Sequence, residues 1–226
     1  MKTSLLPFVI FLFLITSCEK EDVIDDIVAE NLRITSRTLD TLEVGDDFQF
    51  EAMFTNNVGI EEEVNLTWGS QHTEIATIDA NTGLATALME GSTYISALYQ
   101  SNNTLLKDSF LLVVGDTTVL FEEQTFTGSF TGAYDIQGDF EVSQEGEGII
   151  IKILSNYAHD GGAPGPYLYL TNNINSIAGA KEIGNVTALG SHTFNVAETS
   201  LFDYQYLLVW CKPFNIRIGY GKINMQ

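Results

Sequence analysis

From Leu32 onward the chain alternates apolar and polar residues in short runs, broken by turn-forming residues roughly every eight to twelve positions. That pattern predicts strands of a β-sandwich or barrel. No helical spacing of apolar residues competes with it. In Phe48-Gln49-Phe50-Glu51-Ala52-Met53-Phe54 the even positions are apolar and, on an extended backbone, point to one face. Val64 to Trp68 repeats the device, with Trp68 placed to fill a core. Asp79-Ala80-Asn81-Thr82-Gly83 supplies the turn between Ile75–Ile78 and Leu84–Leu88, because Asn and Gly tolerate positive φ. Two more strands are expected over Thr93–Tyr99 and Leu105–Val114.

The second half continues in the same idiom. Strands are expected over Phe140–Val142, Gly148–Leu154, Tyr167–Leu170, His192–Val196, Tyr206–Cys211 and Phe214–Ile223, with Gly- and Asn-rich loops between them. Charge separates the halves: residues 19–117 hold 19 acids and 4 bases, residues 118–226 hold 11 and 5. Two modules are therefore expected, at 32–116 and 117–226.

The N-terminus follows a different rule. Lys2 precedes an apolar run from Leu5 to Ile15, which is shorter than the ~20 residues needed to span a bilayer as a helix and suits a signal-peptide core. The run ends in Leu14-Ile15-Thr16-Ser17-Cys18, which resembles the lipobox of bacterial lipoproteins. The resemblance implies a signal peptide at 1–17 and lipid attachment at the Cys18 sulfur, an anchor held by about 0.8 kcal/mol per buried methylene. Cys18-Glu19-Lys20-Glu21-Asp22 is similar to the export signal of lipoproteins sent to the outer face of the Gram-negative outer membrane. The expected location is the outer membrane, lipid-anchored and facing the cell exterior, with residues 18–31 as an acidic tether. Its like charges repel one another and extend it.

Composition narrows the partners. Thirty acidic against ten basic side chains set the net charge at −20, which excludes nucleic acid as a partner. Extracellular protein, glycan or a redox partner remain, alongside the membrane reached through the anchor. Two cysteines, Cys18 and Cys211, cannot staple a disulfide scaffold.

Ordered motifs carry two family resemblances. Leu42-Glu43-Val44-Gly45, Val64-Asn65-Leu66-Thr67-Trp68, Ile75-Ala76-Thr77-Ile78-Asp79 with Gly83, and Glu90-Gly91-Ser92-Thr93-Tyr94-Ile95-Ser96-Ala97 together resemble the bacterial immunoglobulin-like group 2 (BIG2) domain. What this implies is a stalk or adhesion module of bacterial surface proteins. Gly128-Ser129-Phe130 through Gly138, Ile149 to Asn156, Ala163-Pro164-Gly165-Pro166-Tyr167-Leu168-Tyr169-Leu170 and Val209-Trp210-Cys211-Lys212-Pro213-Phe214-Asn215-Ile216 resemble the DM13 domain. That resemblance implies a β-rich extracellular module with a proposed electron-transfer role centred on Cys211. The chain departs from it at Tyr134, where many relatives carry His, and at Gly165, often Asp. The expected fold class is all-β, an Ig-like β-sandwich followed by a second compact β-sandwich or barrel-like domain.

Once Cys18 is acylated, Cys211 is the one thiol of the mature chain and has no partner for a disulfide. Its open chemistries are sulfenic acid cycling, a mixed disulfide, or thiolate ligation of haem, each requiring a thiolate and access. Against them stands packing, because Leu207-Leu208-Val209-Trp210-Cys211 reads as a buried strand and free cysteine packs as a small hydrophobe. His159 and His192 are the weaker candidates for a second haem ligand. No Cys-x-x-Cys-His motif, Gly-x-Ser-x-Gly elbow, phosphate-binding glycine loop or metal-ligand spacing is present, so no catalytic residue and no metal site is assigned. Glu61-Glu62-Glu63 reads as a solvated loop rather than a cation site.

Overall fold

A computed structural model describes residues 26–101, 104–121, 124–162 and 164–224. The expected signal peptide, the Cys18 lipid site and the tether up to residue 25 lie outside the described residues. The described chain is all-β, with no helix.

In the first module, the five-stranded sheet runs in the order Val119–Leu120, Leu39–Glu43, Leu105–Gly115, Gly91–Gln100, Thr67–Ser70. Leu105–Gly115 and Leu39–Glu43 pair in parallel, and the remaining pairs are antiparallel. Two three-stranded sheets complete the module. One orders Asn31–Ile34, Ala52–Thr55, Glu61–Glu62, and the other Asp47–Gln49, Leu84–Ala87, Ala76–Ile78. The core between them contains Ile34, Leu42, Phe50, Trp68, Ile95 and Leu112. Val119–Leu120 still pairs with Leu39–Glu43, so the chain leaves this sheet a few residues beyond Asp116.

The alternating stretch from Phe48 to Phe54 is not one strand. Asp47–Gln49 pairs with Leu84–Ala87, while Ala52–Thr55 pairs with Asn31–Ile34. The chain changes sheets at Phe50, whose backbone N–H donates to the Gly83 carbonyl (2.9 Å). Phe50 and Phe54 nevertheless both face the core, because alternation encodes burial and does not encode the partner strand. Similarly, the strand expected over Val64–Trp68 lies at Thr67–Ser70. Glu61–Glu62 forms a short exposed edge strand.

The second module stacks a four-stranded sheet on a five-stranded one. The first orders Thr125–Ser129, Asp139–Glu145, Gly148–Ile153, His192–Val196. The second orders Thr131–Gly132, Ile216–Lys222, Tyr206–Cys211, Pro166–Thr171, Lys181–Asn185. Phe140, Ile151, Leu168, Leu207, Val209 and Cys211 fill the space between them. Gly128 and Gly221 bracket the Phe140 ring, and a Cβ at either position would collide with it.

Specific contacts join the modules. The Asn173 side chain, 1% exposed, donates from Nδ2 to the carbonyls of Asp26 (2.6 Å) and Val58 (2.9 Å). Gly59 sits at φ +79° with its Cα against Asn173, where a Cβ would come within 2.7 Å of the Asn173 Cβ. Arg33 Nη2 donates to Asn172 Oδ1 (3.3 Å) and to the Asp203 carbonyl (3.1 Å). Burial pulls the Arg33 guanidinium down to about 10, with the charges of Asp203 and Asp108 acting the other way. Gln124 Nε2 closes a third contact on the Arg37 carbonyl (3.0 Å).

Candidate functional site

Cys211 ends a strand whose residues 207–211 are all buried, because that strand is central in its sheet and packed on both faces. It pairs with Pro166 on one side and Ile216 on the other. The thiol has 0% exposure, and Sγ donates to the Pro164 carbonyl (3.0 Å). The packing environment anticipated for a small hydrophobe is present, and the access that redox cycling or mixed-disulfide formation needs is not. Lys212, next in sequence, turns to the outer face, where Nζ bonds Glu182 (2.9 Å) and lies 4.8 Å from the Tyr167 ring centroid.

His159 and His192 meet around Tyr157. Both rings pack edge-on against Tyr157, with centroids 5.8 and 5.7 Å away. Tyr157 is 1% exposed and donates to the Val186 carbonyl (3.3 Å). Burial holds its phenol well above the ordinary tyrosine range. His192 also stacks on Phe194, and its Nε2 donates to the Ala188 carbonyl (2.8 Å). His159 Nδ1 accepts from the Gly161 N–H (3.1 Å), so the neutral ring carries its proton on the buried Nε2.

These residues do not fit haem. Cys211 is sealed, His192 Nε2 is committed to a carbonyl, and neutral His159 presents an N–H where an iron ligand needs a lone pair. Among the described residues no three His, Cys, Asp or Glu side chains converge as metal ligands. The glycine at 165 has a backbone reason: its φ is +65°, a left-handed conformation that an aspartate adopts less readily.

A cleft of about 600 Å3 lies across the junction of the modules. Gln49, Glu51 and Trp68 line it from the first module, and Asn172, Asp203 and Tyr204 from the second. The pattern of the sequence held no signal for it, because its walls come from two segments, 35–82 and 172–204, that lie in different modules.

Compared with known families, residues 30–110 match the bacterial Ig-like domain (group 2). The match covers the strands from Asn31–Ile34 to most of Leu105–Gly115, so the Ig-like reading of the first module stands on sequence and fold together. No curated protein matches the chain.

Proposed function

We propose that this protein is a lipid-tethered, non-catalytic binding protein of the outer bacterial surface, whose two β modules act as one rigid ligand-contacting body. The observation that carries this reading is the junction: Asn173 and Arg33 lock the modules together, and an open cleft runs across the seam they create. A bare stalk needs neither a fixed angle between modules nor a concave surface at the joint. The Ig-like match at residues 30–110 supports an adhesion-type role. The lipobox-like segment ending at Cys18 supports the anchor, and the DM13-like segment around Trp210 and Cys211 supports an extracellular address. The sealed thiol favours binding over electron transfer, with Cys211 serving as core packing.

Labelled palmitate and protease shaving test the reading in cells. The wild-type chain is expected to incorporate lipid and to be cleaved on intact cells, and Cys18→Ala to lose both lipid and membrane retention. Lipid-free wild-type protein, or protein shielded from protease until the outer membrane is opened, contradicts the assigned address.

A further inference from the structure

We propose that the groove beside the edge strand Asn31–Ile34 is a docking site for an acidic, extended peptide segment of a partner protein. The segment joins that strand through backbone hydrogen bonds and meets Lys107 and Arg37 with its carboxylates. This goes beyond the cleft across the seam and rests on the binding-protein reading.

Pairing leaves one edge of the strand open. Asn31–Ile34 is the outer strand of its sheet, and its partner among the described residues is Ala52–Thr55. In an antiparallel ladder successive residues turn their backbone groups to opposite edges. Thr35 continues the ladder, its N–H donating to the Glu51 carbonyl (2.9 Å), so Arg33 and Asn31 face that way while Ile34 and Leu32 face the other. Ile34 bears this out: its N–H donates to Asp108 Oδ2 (2.8 Å) and its carbonyl accepts from Arg37 Nε (3.0 Å). These two side chains, ion-paired with each other, stand where one residue of a neighbouring strand would. Leu32 faces the same edge, and no hydrogen bond from a described residue meets its N–H or its carbonyl there.

That edge opens on a groove of about 390 Å3. Across it lie Lys107 and Asp108, in the part of Leu105–Gly115 that precedes its pairing with Leu39–Glu43 at Val113. Phe202 and Gln205 of the second module complete the lining. An open strand edge of this kind is a template for another extended chain, which presents backbone donors and acceptors at the matching spacing.

Charge selects the segment. The described chain between residues 26 and 121 has three Lys or Arg residues, Arg33, Arg37 and Lys107, and all three line this groove against the one carboxylate of Asp108. The surrounding module is strongly acidic, so this is where its surface favours an incoming carboxylate. Asp108 is committed to Arg37 and to the Ile34 N–H. Lys107 is exposed and takes part in none of the ion pairs among the described residues. The frame is also fixed in advance, because Arg33 ties the strand to Asn172 and to the Asp203 carbonyl of the second module, which lowers the entropy cost of binding.

Fluorescence anisotropy of the full-length protein in detergent tests this with a labelled octapeptide of alternating Glu and Thr, capped at both ends. The controls replace every Glu by Lys, or N-methylate the amides of every Glu in one peptide and of every Thr in another, so that each blocks one backbone edge. The Glu-Thr peptide is expected to bind at sub-millimolar concentration, more weakly as salt rises, and the Lys peptide to stay free. One of the two N-methylated peptides should bind at least ten-fold more weakly than the parent, since strand addition uses one edge. Lys107→Glu, at an exposed position, should weaken the parent peptide about ten-fold without lowering the melting temperature. The proposal is overturned if the Glu-Thr peptide does not bind, if the Lys peptide binds as well, if both N-methylated peptides match the parent, or if Lys107→Glu binds like wild type. Sedimentation showing a dimer that Lys107→Glu dissociates places a second copy in the groove and also overturns the partner assignment. Adherence of cells displaying the chain separates the two claims. Adherence unchanged by Lys107→Glu removes the groove but leaves the binding-protein reading, whereas cells that adhere no better than a deletion strain remove that reading.

Discussion

The side-chain amide of Asn173, a residue 1% exposed in the second module, donates to the backbone carbonyl of Val58 in the first at 2.9 Å. The same amide reaches the Asp26 carbonyl, and its Oδ1 accepts from the Asn175 N–H (2.8 Å). Three backbone groups, from both modules, thus depend on one side chain. Asn173→Ala leaves them unpaired and should cost about 2–4 kcal/mol. Calorimetry is expected to show one unfolding transition for the wild type and a broadened or split one for the variant, as the modules uncouple. A variant melting as one sharp transition at the wild-type temperature contradicts a locked junction.

The packing of Cys211 makes a chemical prediction. With no exposed surface and its S–H on Pro164, the thiol should react with a disulfide reagent only after denaturation, and the folded protein should show no Soret band. Cys211→Ala should destabilise the fold by about 1–2 kcal/mol through the small cavity it opens. Fast stoichiometric labelling under native conditions would return electron transfer to consideration.

The Phe140 ring fits between two glycine backbones, at Gly128 and Gly221, where two strands from different sheets approach closely. Neither glycine has positive φ, so their requirement is space rather than conformation. Gly221→Ala should cost about 1–3 kcal/mol from overpacking. Combining it with Phe140→Leu should recover part of that loss, since the two sites share one contact. Strict additivity in a denaturant melt would rule the contact out as the cause.

Acid should weaken the fold through a few identifiable carboxylates. Lys212 first, then Tyr169, holds Glu182 below its ordinary value of 4.5. Ser129 and Asn156 do the same for Asp139, and the backbone N–H groups of Thr82 and Asn81 for Asp79, both ordinarily at 3.8. A carboxylate depressed in the folded state stabilises it above the unfolded value, and that contribution fades as pH falls through the folded one. Melting temperature should therefore drop below about pH 4.5, and Glu182→Gln should differ from wild type less at pH 3 than at pH 7. A constant difference across that range excludes the linkage.

At the alkaline end, Tyr169 is 3% exposed and donates to Glu182 Oε2 (2.9 Å). Burial, then this bond and charge, push its phenol up to about 12. A raised value stabilises the fold below the unfolded value near 10 and loses that contribution as pH rises through about 12. Ultraviolet titration should show a tyrosine that ionises well after the exposed ones, and Glu182→Gln should bring it earlier.

The period-two alternation and turn residues established much of this protein: an all-β chain, a buried Trp68, and strands at His192–Val196 and Tyr206–Cys211 at the expected bounds. They also carried the packing alternative for Cys211, because an unbroken apolar strand is buried on both faces wherever it pairs. Local pattern reports which face is buried and leaves the neighbour undetermined. Thus Phe50 is legible as core while its change of sheet is not, and the edge strand Lys181–Asn185, mostly polar, carries no apolar alternation to mark it. Asn173 and Val58 stand 115 positions apart, and the cleft takes Trp68 from one module and Tyr204 from the other. Such relationships arise only when separate sheets dock, since the free energy that fixes them resides in contacts between distant segments rather than in the periodicity of any one.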